Sequence, residues 1–212
     1  MNARIAILDY GMGNLRSAEK AFEHVGATVT VTRDHETVRA ADGVVLPGVG
    51  AFPKAMEAVR ELAFDGLIAE RVEAGVPVLG ICLGMQLLFD SSSELGGAAG
   101  LGLLPGAVER LDAPGLKVPE IGWNPVSWRR RSELTAGLPD PCPMYHVHSY
   151  SPRAADEDDV LGTATYSTEF VSAVERAPIY GTQFHPEKSS ESGLRLLANF
   201  TRIAASALRR AA

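Results

Sequence analysis

Only two cysteines occur among the 212 residues of this chain, and one of them, Cys82, stands between Gly80 and Gly84 in the run VPVLGICLGMQLLF at 76–89. The spacing G-x-C-x-G is the thiol counterpart of the G-x-S-x-G elbow, where small neighbours let the chain turn sharply enough to expose a nucleophile. Residues 76–81 form a short apolar run rich in β-branched side chains, which predicts a strand buried on both faces of a parallel sheet. From Gly84 the pattern becomes that of an amphipathic helix, with Met85, Leu87, Leu88 and Phe89 around Gln86, ending near Asp90 and the three serines that follow. Cys82 therefore falls at a strand-to-helix turn. The helix start presents unpaired N–H groups and a positive dipole end, both of which favour thiolate over thiol. A buried thiol also packs as a small hydrophobe, so the elbow by itself leaves both readings open.

A second constellation lies in YGTQFHPEK at 180–188. Residues 179–184 alternate as a strand does, so His185 and Glu187 fall at its end, two residues apart. Positions i and i+2 of an extended chain project to the same side, which lets one carboxylate hold one imidazole. A thiol nucleophile needs such a base to take its proton and later to protonate a leaving amine, and the base needs a third group to fix its tautomer. A zinc site is the weaker reading, because two ligands at this spacing have no third or fourth partner. No metal and no cofactor are expected.

Composition sets the frame for these residues. With 46% hydrophobic residues the chain suits one α/β domain over residues 1–212, large enough for a full core. A net charge of −6 argues against general nucleic-acid binding. The one basic cluster, Arg129 to Arg131, reads as a solvated turn. The N-terminal MNARIAILDYGMGN lacks a basic region followed by a long apolar core, and no apolar run is long enough to span a bilayer. A cytoplasmic protein with no membrane contact is expected. Cys82 and Cys142 form neither a disulfide framework nor a metal pattern, and Cys142, in PDPCPM, reads as an incidental loop residue.

Strand and helix patterns alternate along the first half: a strand at 4–9, the turn YGMGN, a helix capped by Asn14 through about His24, and strands at 27–31 and 43–46. PGVG at 47–50 then reads as a turn before a helix from about Ala51, and helical pattern returns at 64–73 before the strand that leads to Cys82. This rhythm implies a parallel sheet with helices on both faces. Ligands of such sheets bind beyond the carboxyl ends of the strands, where YGMGN, PGVG and Cys82 converge. After about residue 105 the pattern turns strand-rich, with candidates at 107–111, 117–128, 144–150, 160–165, 170–175 and 179–183. A helix at 191–208 follows.

GICLGMQLL together with QFHPEK resembles the class I glutamine amidotransferases, whose triad is Cys-His-Glu. LDYGMGNLRS, LPGVGAF, IGWNPV, HVHSY and HPEKSSESGLRLLANF, in this order and over nearly the whole chain, resemble within that class the glutaminase subunits of imidazole glycerol phosphate synthase. The resemblance implies a three-layer α/β fold of flavodoxin-like type, with a mostly parallel central sheet, helices on both faces and an additional strand-rich C-terminal part. It implies Cys82 as nucleophile, His185 as general base and acid, and Glu187 as its orienting partner. L-glutamine is the implied substrate, with Gly50, Gln86, Ser149 and Tyr150 around it. Tyr145 and His148 are left outside the site.

Attack on an amide makes an oxyanion that needs preorganised N–H donors. The Leu83 N–H, next after the nucleophile, is one. The other is expected from PGVG, where Gly48 and Gly50 leave the peptide at Val49 free to rotate, although glycines serve an ordinary tight turn equally well. The resemblance further implies a heterodimer with a (β/α)₈-barrel cyclase subunit that consumes the ammonia in histidine biosynthesis, with Asn14, Trp123 and Lys188 near the contact. One position departs from the pattern: P-H-x-G-W-N is expected, and this chain has Glu120 in VPEIGWN, outside the triad. Among other readings, a glutaminase serving pyridoxal phosphate synthesis would carry a Gly-Gly-Glu-Ser type segment in place of PGVG. A peptidase-like hydrolase or chaperone would place its histidine beside the nucleophile, where Leu83 stands. A regulatory subunit with a dead site would not keep all three triad residue types.

Overall fold

The computed structural model describes residues 2–211, with side chains through residue 207. The first half alternates strongly: β1 (Arg4–Leu8), α1 (Leu15–His24), β2 (Thr28–Thr32), α2 (His35–Arg39), β3 (Gly43–Gly48), α3 (Phe52–Glu61), α4 (Phe64–Glu73), β4 (Val78–Cys82) and α5 (Leu83–Leu87). Then come β5 (Phe89–Ser92), β6 (Ala98–Ala99), β7 (Leu104–Arg110), β8 (Glu120–Trp128), β9 (Cys142–His148) and β10 (Tyr150–Ala154). β11 (Val160–Tyr166), β12 (Thr168–Arg176), β13 (Ile179–Thr182) and α6 (Ser190–Ala211) complete the order.

Nine strands form one sheet in the order β2-β1-β3-β4-β13-β12-β11-β8-β9. From β2 to β13 neighbours run parallel. From β13 to β9 they run antiparallel. The sheet is thus mixed rather than mostly parallel. The reason is connection length: β11, β12 and β13 follow one another through turns of one or two residues, too short for the crossover that parallel neighbours require. A second sheet, β10-β7-β5-β6, packs on the large one.

Local chemistry explains the elements. β3 and β4 are buried along their whole length, as the centre of a parallel sheet requires. Asn14 caps α1 by accepting from the Ser17 N–H, and Ala18, Ala21 and Phe22 turn inward at helical spacing. On that face Phe22 meets Phe200 of α6 edge to face, each ring contributing about 1.5–3 kcal/mol by burial. On the opposite face Phe52, Met56, Phe64 and Ile68 of α3 and α4 pack with Phe89, Leu104 and Val108 of the small sheet.

Several boundaries differ from the sequence expectation. The helix after Cys82 stops at Leu87, and Ser91 and Ser92 belong to β5, because amides of Leu101, Leu103 and Leu104 take the carbonyls of Leu87 and Leu88 that a longer helix would have used. The expected strand at 144–150 is two, β9 and β10, which break at Ser149 and enter different sheets. Pro47 and Gly48 of PGVG belong to β3. The helix α2, capped by Asp34 accepting from the Thr37 N–H, had no expectation at all. Cys142 is not in a loop but opens β9, fully buried. The Arg129 to Arg131 cluster is partly tied down: Arg129 pairs with Glu157 and Glu169, and Arg130 donates to the Val160 and Glu175 carbonyls.

Candidate active site

Cys82 ends β4 with φ 55° and ψ −111°, a left-handed backbone that a non-glycine residue adopts only when its surroundings force it. The two glycines around it supply that force by letting backbone approach backbone. A Cβ at Gly84 would lie 1.7 Å from the Leu46 carbonyl oxygen, and one at Gly80 would lie 2.6 Å from the Gly84 carbonyl oxygen. The elbow is therefore real, and sterically defined. Leu83 begins α5, where first-turn amides have no intrahelical acceptor. The thiol is held from two sides: Gln183 Nε2 donates to Sγ at 3.7 Å, and Sγ lies 3.8 Å from the Val147 carbonyl.

β13 runs beside β4 and delivers His185 just beyond its end, where the chain turns through Pro186, Glu187 and Lys188. The turn is pinned to β9: the His185 N–H donates to the Tyr145 carbonyl, and Ser189 Oγ donates to the His185 carbonyl. A Cβ at Gly193 would meet the Pro186 oxygen at 1.9 Å, so α6 also starts tight against it. His185 Nδ1 is 2.8 Å from Glu187 Oε1, with both side chains 4% exposed. That contact leaves Nε2 for the sulfur. Burial alone would lower the His185 pKa, but hydrogen bonding to Cys82 and then to Glu187 outweighs it and pushes the imidazole up to about 10. An imidazole that binds a proton so firmly can take one from a thiol.

These groups open on one cavity of about 240 Å³ at the carboxyl end of the parallel strands. Val49 and Gly50 line it after β3, Cys82 and Leu83 after β4, and His185 and Lys188 after β13. Gln86, Ser149 and Tyr150 form another wall. Gln86 Nε2 donates to the Tyr150 carbonyl and to Gln183 Oε1, leaving its own carbonyl oxygen for a ligand. Gly50 has φ +119°, and Val49 beside it is 42% exposed. A Cβ at Gly48 would strike the Tyr10 hydroxyl at 2.2 Å, and Gly13 of the YGMGN loop lies against Gly48. Burial, and second the charge on Cys82, pushes the Tyr10 phenol above its ordinary range.

Every residue expected around the substrate lies in this cavity, and of the expected contact residues Lys188 stands at its mouth. Trp123 is exposed on β8 with its edge toward Tyr145, and Asn14 caps α1. Five residues join that were not expected, one of them Val147, which lines the cavity and whose carbonyl meets the sulfur. His148, set aside in the sequence, forms part of the wall, and Pro119 lines it too. Gln183 reaches the sulfur from just past the end of β13; its spacing two before His185, within the run expected to be extended, was a usable signal. Glu94 lines the cavity while its Oε2 accepts from the Phe52 N–H at 2.8 Å, and no motif marks it. Among the described residues no group of three or more His, Cys, Asp or Glu is placed to hold a metal. None of the helices there is long and apolar enough to cross a membrane.

The chain has relatives among known proteins. The chain is 51% identical over 196 residues to the imidazole glycerol phosphate synthase subunit HisH of Moorella thermoacetica, covering 92% of this chain and 93% of that protein. It is 48% identical over the same length to a protein of that description from Bacillus cereus. A GMP synthase-type protein of Thermoplasma acidophilum shares the fold with a TM-score of 0.76 at 22% identity, over 99% of this chain and 97% of that one. PurLQS from Thermotoga maritima shares it with a TM-score of 0.78 at 19% identity, over 96% and 99%. The family model described as glutamine amidotransferase class-I matches residues 6–204, and the chain belongs to that family.

Proposed function

We propose that this chain is the glutaminase subunit of an imidazole glycerol phosphate synthase, hydrolysing L-glutamine and passing the ammonia to a (β/α)₈-barrel cyclase subunit. The observation that carries the reading is the meeting, in one cavity, of Cys82 on its strained elbow with His185 and its bound Glu187. His185 takes the thiol proton while Sγ attacks the side-chain amide carbon. The oxyanion forms toward the Leu83 N–H and the Val49–Gly50 peptide. Collapse expels the amine with the proton from His185, giving ammonia and a thioester on Cys82. Water, deprotonated by His185, then releases glutamate and restores the thiol. Glu187 holds the imidazole in one tautomer throughout.

Ammonia released into water is protonated and diluted, so the acceptor has to seat over the cavity. Ile121 and Trp123, alternate residues of β8, are 64% and 55% exposed. With Val49 and Lys188 they give the surroundings of the cavity mouth an apolar and basic surface that suits a partner. A rotatable peptide beside Gly50 offers control: with its N–H turned away one oxyanion donor is missing, which typically costs about 10²- to 10³-fold in rate. The isolated chain should hydrolyse glutamine slowly, and the co-purified cyclase loaded with its nucleotide should raise the rate by at least that order. Gly50→Val, strained at φ +119°, should remove the stimulation. Full activity of the chain alone, with no response to partner and nucleotide, would overturn the assignment.

A further inference from the structure

Glu120 and His148 are a carboxylate and an imidazole buried together outside the Cys82, His185 and Glu187 set. They are registered partners across β8 and β9, with side chains 4% and 2% exposed. His148 Nε2 lies 3.1 Å from Glu120 Oε2, off the line of a full hydrogen bond. The other polar atoms of the pair are committed. Asn124 Nδ2 donates to Glu120 Oε1 at 2.7 Å. His148 Nδ1 is 3.0 Å from the Tyr150 carbonyl, which only accepts, so Nδ1 carries a hydrogen. A neutral ring would then aim the Nε2 lone pair at a carboxylate oxygen, setting two acceptors against each other away from water. The contact is attractive only with a proton between them.

The Tyr150 carbonyl that His148 holds also accepts from Gln86 Nε2 at 2.8 Å. It lies at the corner where β9 breaks into β10, in the cavity wall made by Ser149 and Tyr150. We propose that Glu120 is a positioning residue for glutamine binding: by holding a proton on His148 Nε2 it keeps Nδ1–H on the Tyr150 carbonyl and fixes this wall. The inference rests on the reading that the wall receives glutamine.

The groups facing the pair are few. On β9, His146 has its ring 5.7 Å from that of His148; burial, and then the charge of His148, pushes it down to about 4, so it is neutral at working pH. On β8 there is only uncharged Asn124, and on β12 the ring of Phe170 packs at 4.9 Å. From the turn after β13, His185 acts on His146, and His185 and Lys188, with Cys82 and Glu94, line the same cavity as His148.

The test uses Glu120→Gln and Glu120→Leu in the complex with the cyclase. In Glu120→Gln the amide oxygen accepts from Asn124 and the amide nitrogen donates to the Nε2 lone pair of a neutral His148. Side-chain nitrogen NMR of the wild type should show a proton on His148 Nε2. Glu120→Gln should keep the low wild-type KM. Glu120→Leu should raise KM about tenfold at all pH with kcat little changed, the size of one lost hydrogen bond to a charged group. Thermal unfolding separates a folding defect from this pattern, since the Gln variant must rescue binding in a folded chain. An Nε2 that carries no proton at any pH where the chain is folded overturns the pair itself. A protonated Nε2 with unchanged KM in a folded Glu120→Leu overturns the positioning role and leaves the glutamine-binding reading of the wall untouched.

Discussion

Two buried carboxylate–imidazole pairs lie in the two halves of the nine-stranded sheet, and they are built differently. His185 and Glu187 sit two residues apart at the end of the parallel half, with only Nδ1 tied and the other nitrogen toward Cys82. His148 and Glu120 face each other across antiparallel strands, with both ring nitrogens in contact with oxygen. An imidazole with a free nitrogen in a cavity can move a proton. One held at both nitrogens can only hold it. The two cysteines divide in the same way: Cys82 opens on the cavity, whereas burial pushes the Cys142 thiol up in β9, where its polar neighbour is Ser192. Burial does not separate a reactive group from a structural one; position at the end of a parallel strand does.

The cysteines give the largest expected contrast. Cys82→Ala should abolish glutamine-dependent turnover while the complex still uses added ammonia, and Cys142→Ala should keep its glutaminase activity. A reversed result in steady-state assays would move the nucleophile to the antiparallel half.

Next comes Glu187→Gln, which keeps the shape of the side chain but loses tautomer control and imidazolium stabilisation. Its kcat should fall by about two to four orders of magnitude, less than for His185→Ala. A fall in kcat here beside a rise in KM in Glu120→Leu would sharpen the distinction between the pairs. Equal effects on both parameters would erase it.

The smallest effect is on stability. His146 is held neutral in the fold, so the unfolded chain binds a proton more readily. Stability should therefore be complete above the ordinary histidine value of 6.5 and fall as pH drops toward about 4. The loss should reach about 3 kcal/mol. Glu120, lowered by His148 and Asn124 against the opposing effect of burial, adds to the loss at the acid end. Urea midpoints between pH 7.5 and 4.5 should show this slope in the wild type and a shallower one in His146→Gln. A wild-type midpoint that does not move with pH would show that His146 titrates alike in both states.

The chain order of residues carried much of the site. G-x-C-x-G marks an elbow because no side chain fits at Gly84, 1.7 Å from the Leu46 oxygen, and that requirement is local. H-P-E keeps a carboxylate beside an imidazole, but the 2.8 Å contact is made by the tight 3₁₀ turn at Pro186–Lys188 rather than by the extended alternation that the spacing suggested. The alternation of β1, α1, β2 and the β3 to β4 segment was legible because helix and strand periods are written in neighbouring residues. Glu94, by contrast, reaches the cavity from a turn with no pattern of its own, to cap α3 across 42 positions of sequence. The switch from parallel to antiparallel pairing after β13, the break of β9 into two sheets at Ser149, and the pairing of Glu120 with His148 belong to the tertiary structure alone. Each depends on which strand edges meet, and hydrogen bonds between strands leave no period in the residues that make them.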